Sequence, residues 1–187
     1  MSRRLARSTV SIRSTTVGVE RSPVGVRLVV TRRIDAPPAA VWALLTDTRR
    51  WPEWGPSITD IDSSDREIAA GTRGTVRLRG GLRLPFEVDS CTENRWDWRV
   101  CGIRATGHRV EPAPADARNR PAGEAERSEG SEATAKGAGP ERCRAVFEVP
   151  LFAAPYAVIC VRALSHLDRL ADECDDRAAG DTTSRAN

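Results

Sequence analysis

Between residues 57 and 111 the sequence contains five strand-like segments in succession, with no helical segment between them. They occupy residues 57–68, 71–79, 84–92, 95–101 and 105–111. Turn-forming residues such as Gly80-Gly81 and Glu93-Asn94 separate them. Parallel strands need a long crossover connection, usually a helix, whereas antiparallel strands are joined by tight turns. This region therefore predicts an antiparallel meander.

Alternation of apolar and polar residues assigns the faces of these strands. Leu84, Phe86 and Val88 share one face of their strand, and Trp96, Trp98 and Val100 share one face of the next, with charged residues between them. Successive side chains of a strand point to opposite faces of the sheet. We expect the apolar sets to face the core.

One strand and two short helices precede the meander. Residues 26–34 are rich in β-branched side chains and predict the first strand. Pro37-Pro38 follows, and proline suits the first turn of a helix, so we predict a helix from there to about Leu45. Residues 47–54 predict a second helical turn, in which Trp51 and Trp54 are candidates to cover the core.

A last strand and a long helix follow the meander. Residues 141–149 place Ala145, Phe147 and Val149 on one face of a strand. Residues 155–174 carry apolar side chains at helical spacing and charged ones opposite. The apolar face of this helix has to be buried against the concave side of the sheet. The predicted fold class is α+β, a curved antiparallel sheet around a long C-terminal helix.

The predicted domain covers residues 25–175 and has three flanking or inserted segments. Residues 1–24 carry five arginines and one glutamate and predict a disordered tail. Residues 112–140 contain no Val, Ile, Leu, Met, Phe, Trp or Tyr, so they cannot pack a core and predict a disordered hairpin insertion. Residues 176–187 predict a disordered C-terminal tail.

Charge and motif content exclude several function classes. The net charge is +3, and the N-terminal tail supplies all of this excess, so we expect no nucleic-acid partner. The sequence has no phosphate-cradling glycine pattern, no HExxH and no CxxC pair, so we expect no cofactor and no metal. The longest apolar stretch, residues 150–164, is too short for an integral membrane segment.

Five scattered cysteines and the absence of a secretory apolar run indicate free thiols and a cytoplasmic location. The oligomeric state is not determined by any of these features.

Three motifs resemble those of a known superfamily: "APPAAVW" at residues 36–42, "DTRRWPEW" at 47–54 and "RWDWRV" at 95–100. With the order of elements, they resemble the SRPBCC superfamily, in particular its polyketide cyclase/dehydrase-like or START-like branch. The resemblance implies a helix-grip (START/Bet v 1-like) fold with a cavity between the sheet and the C-terminal helix. Members of this superfamily bind lipids, isoprenoids, hormones or polyketides, and some are enzymes.

The resemblance therefore implies a small hydrophobic ligand, lipid, isoprenoid or polyketide-like. Candidate ligand-binding residues are Phe86, Trp96, Trp98, His108 and Tyr156, because flat rings bury apolar groups and a histidine or tyrosine orients them. Each of the five is equally compatible with plain core packing. Arg104 is a further candidate for a polar end of the pocket.

Two alternatives remain open from the sequence. His108 is a candidate acid or base for a cyclase or dehydratase, since histidine titrates near neutral pH, although no carboxylate lies at a spacing that places it nearby. The chain is alternatively a protein-interaction module, for which the 112–140 insertion is a candidate docking segment. A lone histidine is more often structural, so simple binding is the leading interpretation.

Overall fold

The computed structural model describes residues 10–12, 15–113 and 142–184, which form one nine-stranded antiparallel sheet and three α-helices. The strands are β1 Val10–Ile12, β2 Thr15–Ser22, β3 Gly25–Ile34, β4 Ile58–Ser63, β5 Arg73–Leu78, β6 Arg83–Thr92, β7 Arg95–Val100, β8 Ile103–Pro112 and β9 Cys143–Pro150. The helices are α1 Pro38–Thr46, α2 Trp51–Trp54 and α3 Ala157–Ser184, with 3-10 segments at Thr48–Arg50 and Leu151–Tyr156. The strand order is β1-β2-β3-β9-β8-β7-β6-β5-β4.

The predicted helix-grip architecture is confirmed. The nine described strands form one antiparallel sheet, two short helices follow β3, and α3 packs across the concave face. The buried residues of α3 are Cys160, Ala163, Leu164, Leu167 and Ala171. Their spacing of three or four residues is that of one helical face, as the sequence predicted.

The prediction of a disordered tail over residues 1–24 is wrong where the structure describes strands β1 and β2. Residues Thr15–Ser22 form β2, which pairs with β3 in continuous register from Thr15 opposite Arg32 to Ser22 opposite Gly25. β2 thus extends the sheet beyond β3, which would otherwise be an unpaired edge. The Arg32 guanidinium donates a hydrogen bond to Thr15 Oγ1 (3.0 Å) and pairs with Asp168 of α3 (2.6 Å), so this added strand is also tied to the helix.

The C-terminal boundary also differs from the prediction. α3 continues to Ser184, whereas the sequence pattern predicts a helix that ends near Cys174 and a disordered tail at residues 176–187. No proline, which would interrupt a helix, occurs after Pro155. Most of the predicted insertion, from residue 114 onward, lies outside the described residues, as do residues 1–9, 13–14 and 185–187.

The two short helices are joined through tryptophan side chains. Trp51 Nε1 donates to the Leu45 carbonyl and Trp54 Nε1 to the Leu44 carbonyl, each at 3.0 Å. These carbonyls belong to the last turn of α1, where no intrahelical donor is available. Trp51 and Trp54 are both buried, as expected from the sequence, and their hydrogen bonds fix α2 against the end of α1.

Candidate functional site

Seven rings fill the centre of the molecule between the sheet and α3. This aromatic cluster consists of Trp51, Trp54, Phe86, Trp96, Trp98, His108 and Phe147. Trp96 lies in its middle, stacked on Trp51 (centroids 5.2 Å apart) on one side and on His108 (4.0 Å) on the other. Phe147 meets the edge of His108 at 4.5 Å. The cluster occupies the space in which a helix-grip fold can enclose a ligand.

His108 is held at the end of a short hydrogen-bond chain. Trp98 Nε1 donates to Thr106 Oγ1 (3.1 Å), and Thr106 Oγ1 lies 3.3 Å from His108 Nε2. Because Thr106 accepts from Trp98, its own hydrogen is free to donate to Nε2, which favours the tautomer protonated on Nδ1. Among the described residues, His108 Nδ1 and Trp96 Nε1 have no hydrogen-bond partner.

The electrostatics of the cluster keep its titratable groups uncharged. Burial lowers the pKa of His108 to about 3, with a further reduction from Arg95 and an opposing effect of Glu148. The imidazole is therefore neutral at pH 7. Burial likewise raises the pKa of the adjacent Cys160 thiol to about 12, so this sulfur is a protonated core group and not a nucleophile.

Almost no free space remains inside the aromatic cluster. The void beside Trp96, Trp98 and His108 measures about 20 Å³, which is room for a single water molecule and not for an organic ligand. A larger space opens toward one end of the molecule.

This larger space, the mouth cavity, has a volume of about 290 Å³ and opens to solvent. It lies between the Leu151–Tyr156 segment and the ends of β5, β6, β7 and β8. Its apolar strand residues include Val76, Leu78, Leu84, Val100 and Ile103, and Phe152 and Ala153 face them from the 3-10 segment. Arg104 and Thr106 add polar groups to this otherwise apolar lining. The volume is near the lower end of the range for small-molecule pockets.

Trp98 and Tyr156 separate the mouth cavity from the inner void, because both residues line both spaces. The Tyr156 hydroxyl lies 2.8 Å from Ser57 Oγ, which links the start of α3 to the loop before β4. Tyr156 is 40% exposed, although its position in the sequence pattern predicted an inward-facing side chain. The residue lies where the 3-10 segment joins α3, so the helical spacing does not extend to it.

The structure brings together four of the five predicted ligand-binding residues. Trp96, Trp98, His108 and Tyr156 line the inner void, whereas Phe86 lies behind Trp51 and Trp98 and reaches neither space. Of these five, only Trp98 and Tyr156 also line the mouth cavity. The structure therefore divides the predicted set into core residues and cavity residues.

Several lining residues were not singled out by the sequence analysis. The alternation of apolar and polar residues predicts that Leu84 and Val100 face inward. It does not show that space remains beside them. Phe152 and Ala153 gave no signal, because they lie in a 3-10 segment with neither helical nor strand spacing. Arg104, considered as a polar end of a pocket, does line the cavity.

A buried carboxylate lies on the opposite, convex face of the sheet. Glu148 is fully buried and pairs with Arg95 (2.6 Å) and with Arg109, while Arg109 also pairs with Glu20 of β2 (3.0 Å). Burial raises the pKa of Glu148, but hydrogen bonds and charges of the two arginines lower it more, so the net pKa is below its usual value. This network fastens β2 to the centre of the sheet and does not line the cavity.

The remaining polar residues of the site give no metal-binding arrangement. Within residues 15–113 and 142–174, no three His, Cys, Asp or Glu side chains come close enough together to hold a metal ion.

Comparison with known proteins places this fold and cavity in one family. Residues 25–148 match the family described as polyketide cyclase / dehydrase and lipid transport, which is about two thirds of the chain. The chain belongs to this family, and the SRPBCC-type assignment made from the sequence motifs is confirmed. The matched region starts at β3, so β2 lies outside it. A search of curated proteins found no match.

Solved structures show the same fold at low sequence identity. XoxI from Bacillus cereus has a TM-score of 0.53 at 10% identity, covering 80% of this chain and 97% of its own. An uncharacterized protein from Bacillus thuringiensis has a TM-score of 0.51 at 10% identity, with coverages of 77% and 97%. Protein MLL2253 from Mesorhizobium loti has 0.50 at 16% identity, with 79% and 97%. These similarities establish the fold alone.

One segment, Leu151–Cys174, is long and apolar enough to cross a membrane by length and composition. Its apolar residues include the core face of α3, so these properties do not establish a membrane span. Leu151 and Phe152, at the start of this segment, are exposed, and Phe152 lines the mouth cavity.

Proposed function

We propose that the protein binds a small apolar molecule in the mouth cavity. The observation that carries this proposal is the cavity itself, an open space of about 290 Å³ with a nearly continuous apolar lining. Burial of apolar surface supplies affinity in such a site, and a few polar groups fix the orientation of the ligand. Membership in a family described by lipid transport supports the same function.

The polar groups of the cavity define the kind of ligand that fits. Arg104 lies at the open end of the cavity, whereas Thr106 lies at the inner end, where its hydroxyl is already engaged with Trp98 and His108. A ligand whose apolar part contacts Leu84, Val100 and Phe152, and whose hydrogen-bond acceptor lies near Arg104, matches both the apolar and the polar groups of the lining. The proposed ligand class is therefore an apolar molecule with at most one polar or anionic end.

The proposal is tested with N-phenyl-1-naphthylamine, a neutral apolar probe whose fluorescence rises when it leaves water. Val100→Trp places a large ring in the cavity, and we expect it to weaken probe binding by at least about tenfold through loss of the apolar contact area. Val19→Trp is the matched control, because Val19 is exposed on β2 and lines no part of the cavity. Equal affinities for Val100→Trp and the wild type would refute the assignment of the site.

The cyclase or dehydratase alternative requires His108 to exchange a proton with a substrate. Two observations count against it: burial depresses the pKa of His108 to about 3, and the void beside the ring has only about 20 Å³. A general acid or base works best with a pKa near the operating pH and needs hydrogen-bond contact with its substrate. We therefore place binding first and assign His108 a structural role in the aromatic cluster.

A further inference from the structure

The mouth cavity is surrounded by apolar side chains that face water. Phe152 is 74% exposed, Ile103 61%, Leu82 58% and Leu151 52%. Scattered exposed leucines are ordinary on a protein surface, but a contiguous apolar group at the opening of a cavity marks an interaction site. We call these four residues the apolar rim.

The fold brings the rim residues to one end of the molecule. Ile103 and Phe152 line the same cavity, and Leu151 adjoins Phe152. The Leu82 carbonyl accepts a hydrogen bond from the backbone N–H of Leu78, another lining residue, across the β5–β6 turn (2.8 Å). Two hairpin turns and the 3-10 segment therefore project apolar side chains in the same region.

Arginines without carboxylate partners accompany the apolar rim. Arg79 and Arg83 flank the β5–β6 turn, Arg77 pairs in register with Arg83, and Arg104 follows the β7–β8 turn. None of these four forms an ion pair with a carboxylate of the described residues, and Arg79 instead donates to the Pro56 carbonyl (2.7 Å).

Several other arginines of the sheet do have carboxylate partners. Arg32, Arg95 and Arg109 each pair with a carboxylate, and so does Arg99, whose partner is Asp89. The end of the molecule that carries the apolar rim thus presents four arginines that have no carboxylate partner among the described residues.

We propose that the apolar rim and its four arginines dock on the surface of a lipid bilayer that contains anionic lipid. Apolar side chains at such a surface leave water for the boundary between headgroups and acyl chains, while the arginines remain among the phosphates. In this orientation the mouth cavity opens directly onto the bilayer. The docking extends the proposed binding function and is tested separately from it, because the rim residues Leu82 and Leu151 and the arginines Arg79 and Arg83 line no part of the cavity.

Self-association through the same surface fits the observations less well. A symmetric dimer joins identical patches, so two copies meeting at the rim bring the arginines of one against the arginines of the other. No described carboxylate pairs with these arginines to neutralise that repulsion. An anionic bilayer supplies the opposite charge together with an apolar interior.

The test is co-sedimentation of the full chain with vesicles of phosphatidylcholine, with and without phosphatidylglycerol. We expect binding to the anionic vesicles that falls as salt is added, since salt screens exposed charges. The double variant Leu82→Ser/Leu151→Ser should lower partitioning by at least about tenfold. Arg79→Ala/Arg83→Ala should lower it by about fivefold for each arginine.

Two variants serve as matched controls. Val19→Ser removes a side chain that is 55% exposed on β2, and Arg169→Ala removes an exposed arginine of α3. Both should bind vesicles as the wild type does. Neither Leu82 nor Leu151 lines the mouth cavity, so their replacement should leave binding of N-phenyl-1-naphthylamine unchanged.

The outcomes separate this inference from the proposed function. The docking is overturned if the protein does not bind anionic vesicles, or if the rim and control variants lose vesicle binding equally. Binding of N-phenyl-1-naphthylamine still tests the mouth cavity separately. A concentration-dependent dimer in light scattering that Leu82→Ser/Leu151→Ser abolishes also overturns it, since the rim is then a contact between two copies. If the protein binds anionic vesicles but does not bind N-phenyl-1-naphthylamine, the assignment of the ligand site to the mouth cavity is refuted and the docking is not.

Discussion

The aromatic interior and the mouth cavity lie along the same strands, yet one is filled and the other is open. On β7 the inward side chains change from the large rings of Trp96 and Trp98 to the smaller Val100, and on β6 they change from Phe86 to Leu84 toward the mouth. The backbone of the sheet is continuous across both regions. The difference shows that side-chain volume decides where this helix-grip fold has space for a ligand.

The first prediction concerns the filled region and has the largest expected effect. Trp96→Ala removes a fully buried ring that stacks on Trp51 and His108, and it should lower the free energy of unfolding by about 4 kcal/mol. Val100→Ala, at the open region, should cost only about 1 kcal/mol because the side chain already borders empty space. Urea denaturation measures both. A similar decrease in the free energy of unfolding for both variants would show that the two regions are packed alike.

The second prediction concerns the convex face behind the cluster. Glu148→Gln leaves two arginines without their shared buried partner and should lower the free energy of unfolding by about 3 kcal/mol at pH 7. The pKa of Glu148 is lowered by folding, so its stabilisation is present above the usual carboxyl pKa and is lost as the pH falls through the folded value. The difference between variant and wild type should therefore shrink below about pH 4.5. A difference that does not depend on pH contradicts the ionic assignment.

The third prediction tests whether His108 belongs to the filled region. Its folded pKa of about 3 lies below the unfolded value, so protons bind the unfolded chain preferentially between these values and stability falls as the pH drops below about 6.5. Lowering the pH from 6.5 to 5 should remove about 2 kcal/mol from the wild type through this residue. His108→Phe should lack that loss in urea denaturation measured at both pH values. An unchanged pH dependence in His108→Phe would show that the ring is not buried in its neutral form.

The fourth prediction concerns the boundary between the two regions and has the smallest effect. The Ser57–Tyr156 hydrogen bond is exposed to solvent and should contribute only about 0.5 kcal/mol. A double-mutant cycle of Ser57→Ala and Tyr156→Phe isolates this coupling energy in urea denaturation. Strictly additive effects would mean that the bond does not form in solution.

The fold was largely predictable because its signals are local. Alternation placed Phe86, Val88 and Trp96 inside, and Pro37-Pro38 located the start of the first helix within one residue. β2 was missed because the arginine content of residues 1–24 suggested a solvated tail, whereas the strand is stabilised by pairing with β3 and by the Arg32–Thr15 contact. That stabilisation is tertiary and leaves little trace in composition.

The site was predictable only in part, since an inward-facing side chain is a local property and empty space is not. Trp96 and Trp98 gave the same strand signal, but only Trp98 reaches the mouth cavity. Whether space remains beside Val100 depends on the 3-10 segment Leu151–Tyr156, which lies more than 50 residues further along the chain. No spacing rule connects the two elements.

The most direct test of this account is a crystal structure of the protein with bound N-phenyl-1-naphthylamine. The account predicts the probe in the mouth cavity, in contact with Leu84, Val100 and Phe152, with the stacked rings of Trp51, Trp96 and His108 unmoved. A probe found between Trp96 and His108, with the aromatic cluster displaced, would contradict it and would return His108 to the set of ligand-binding residues.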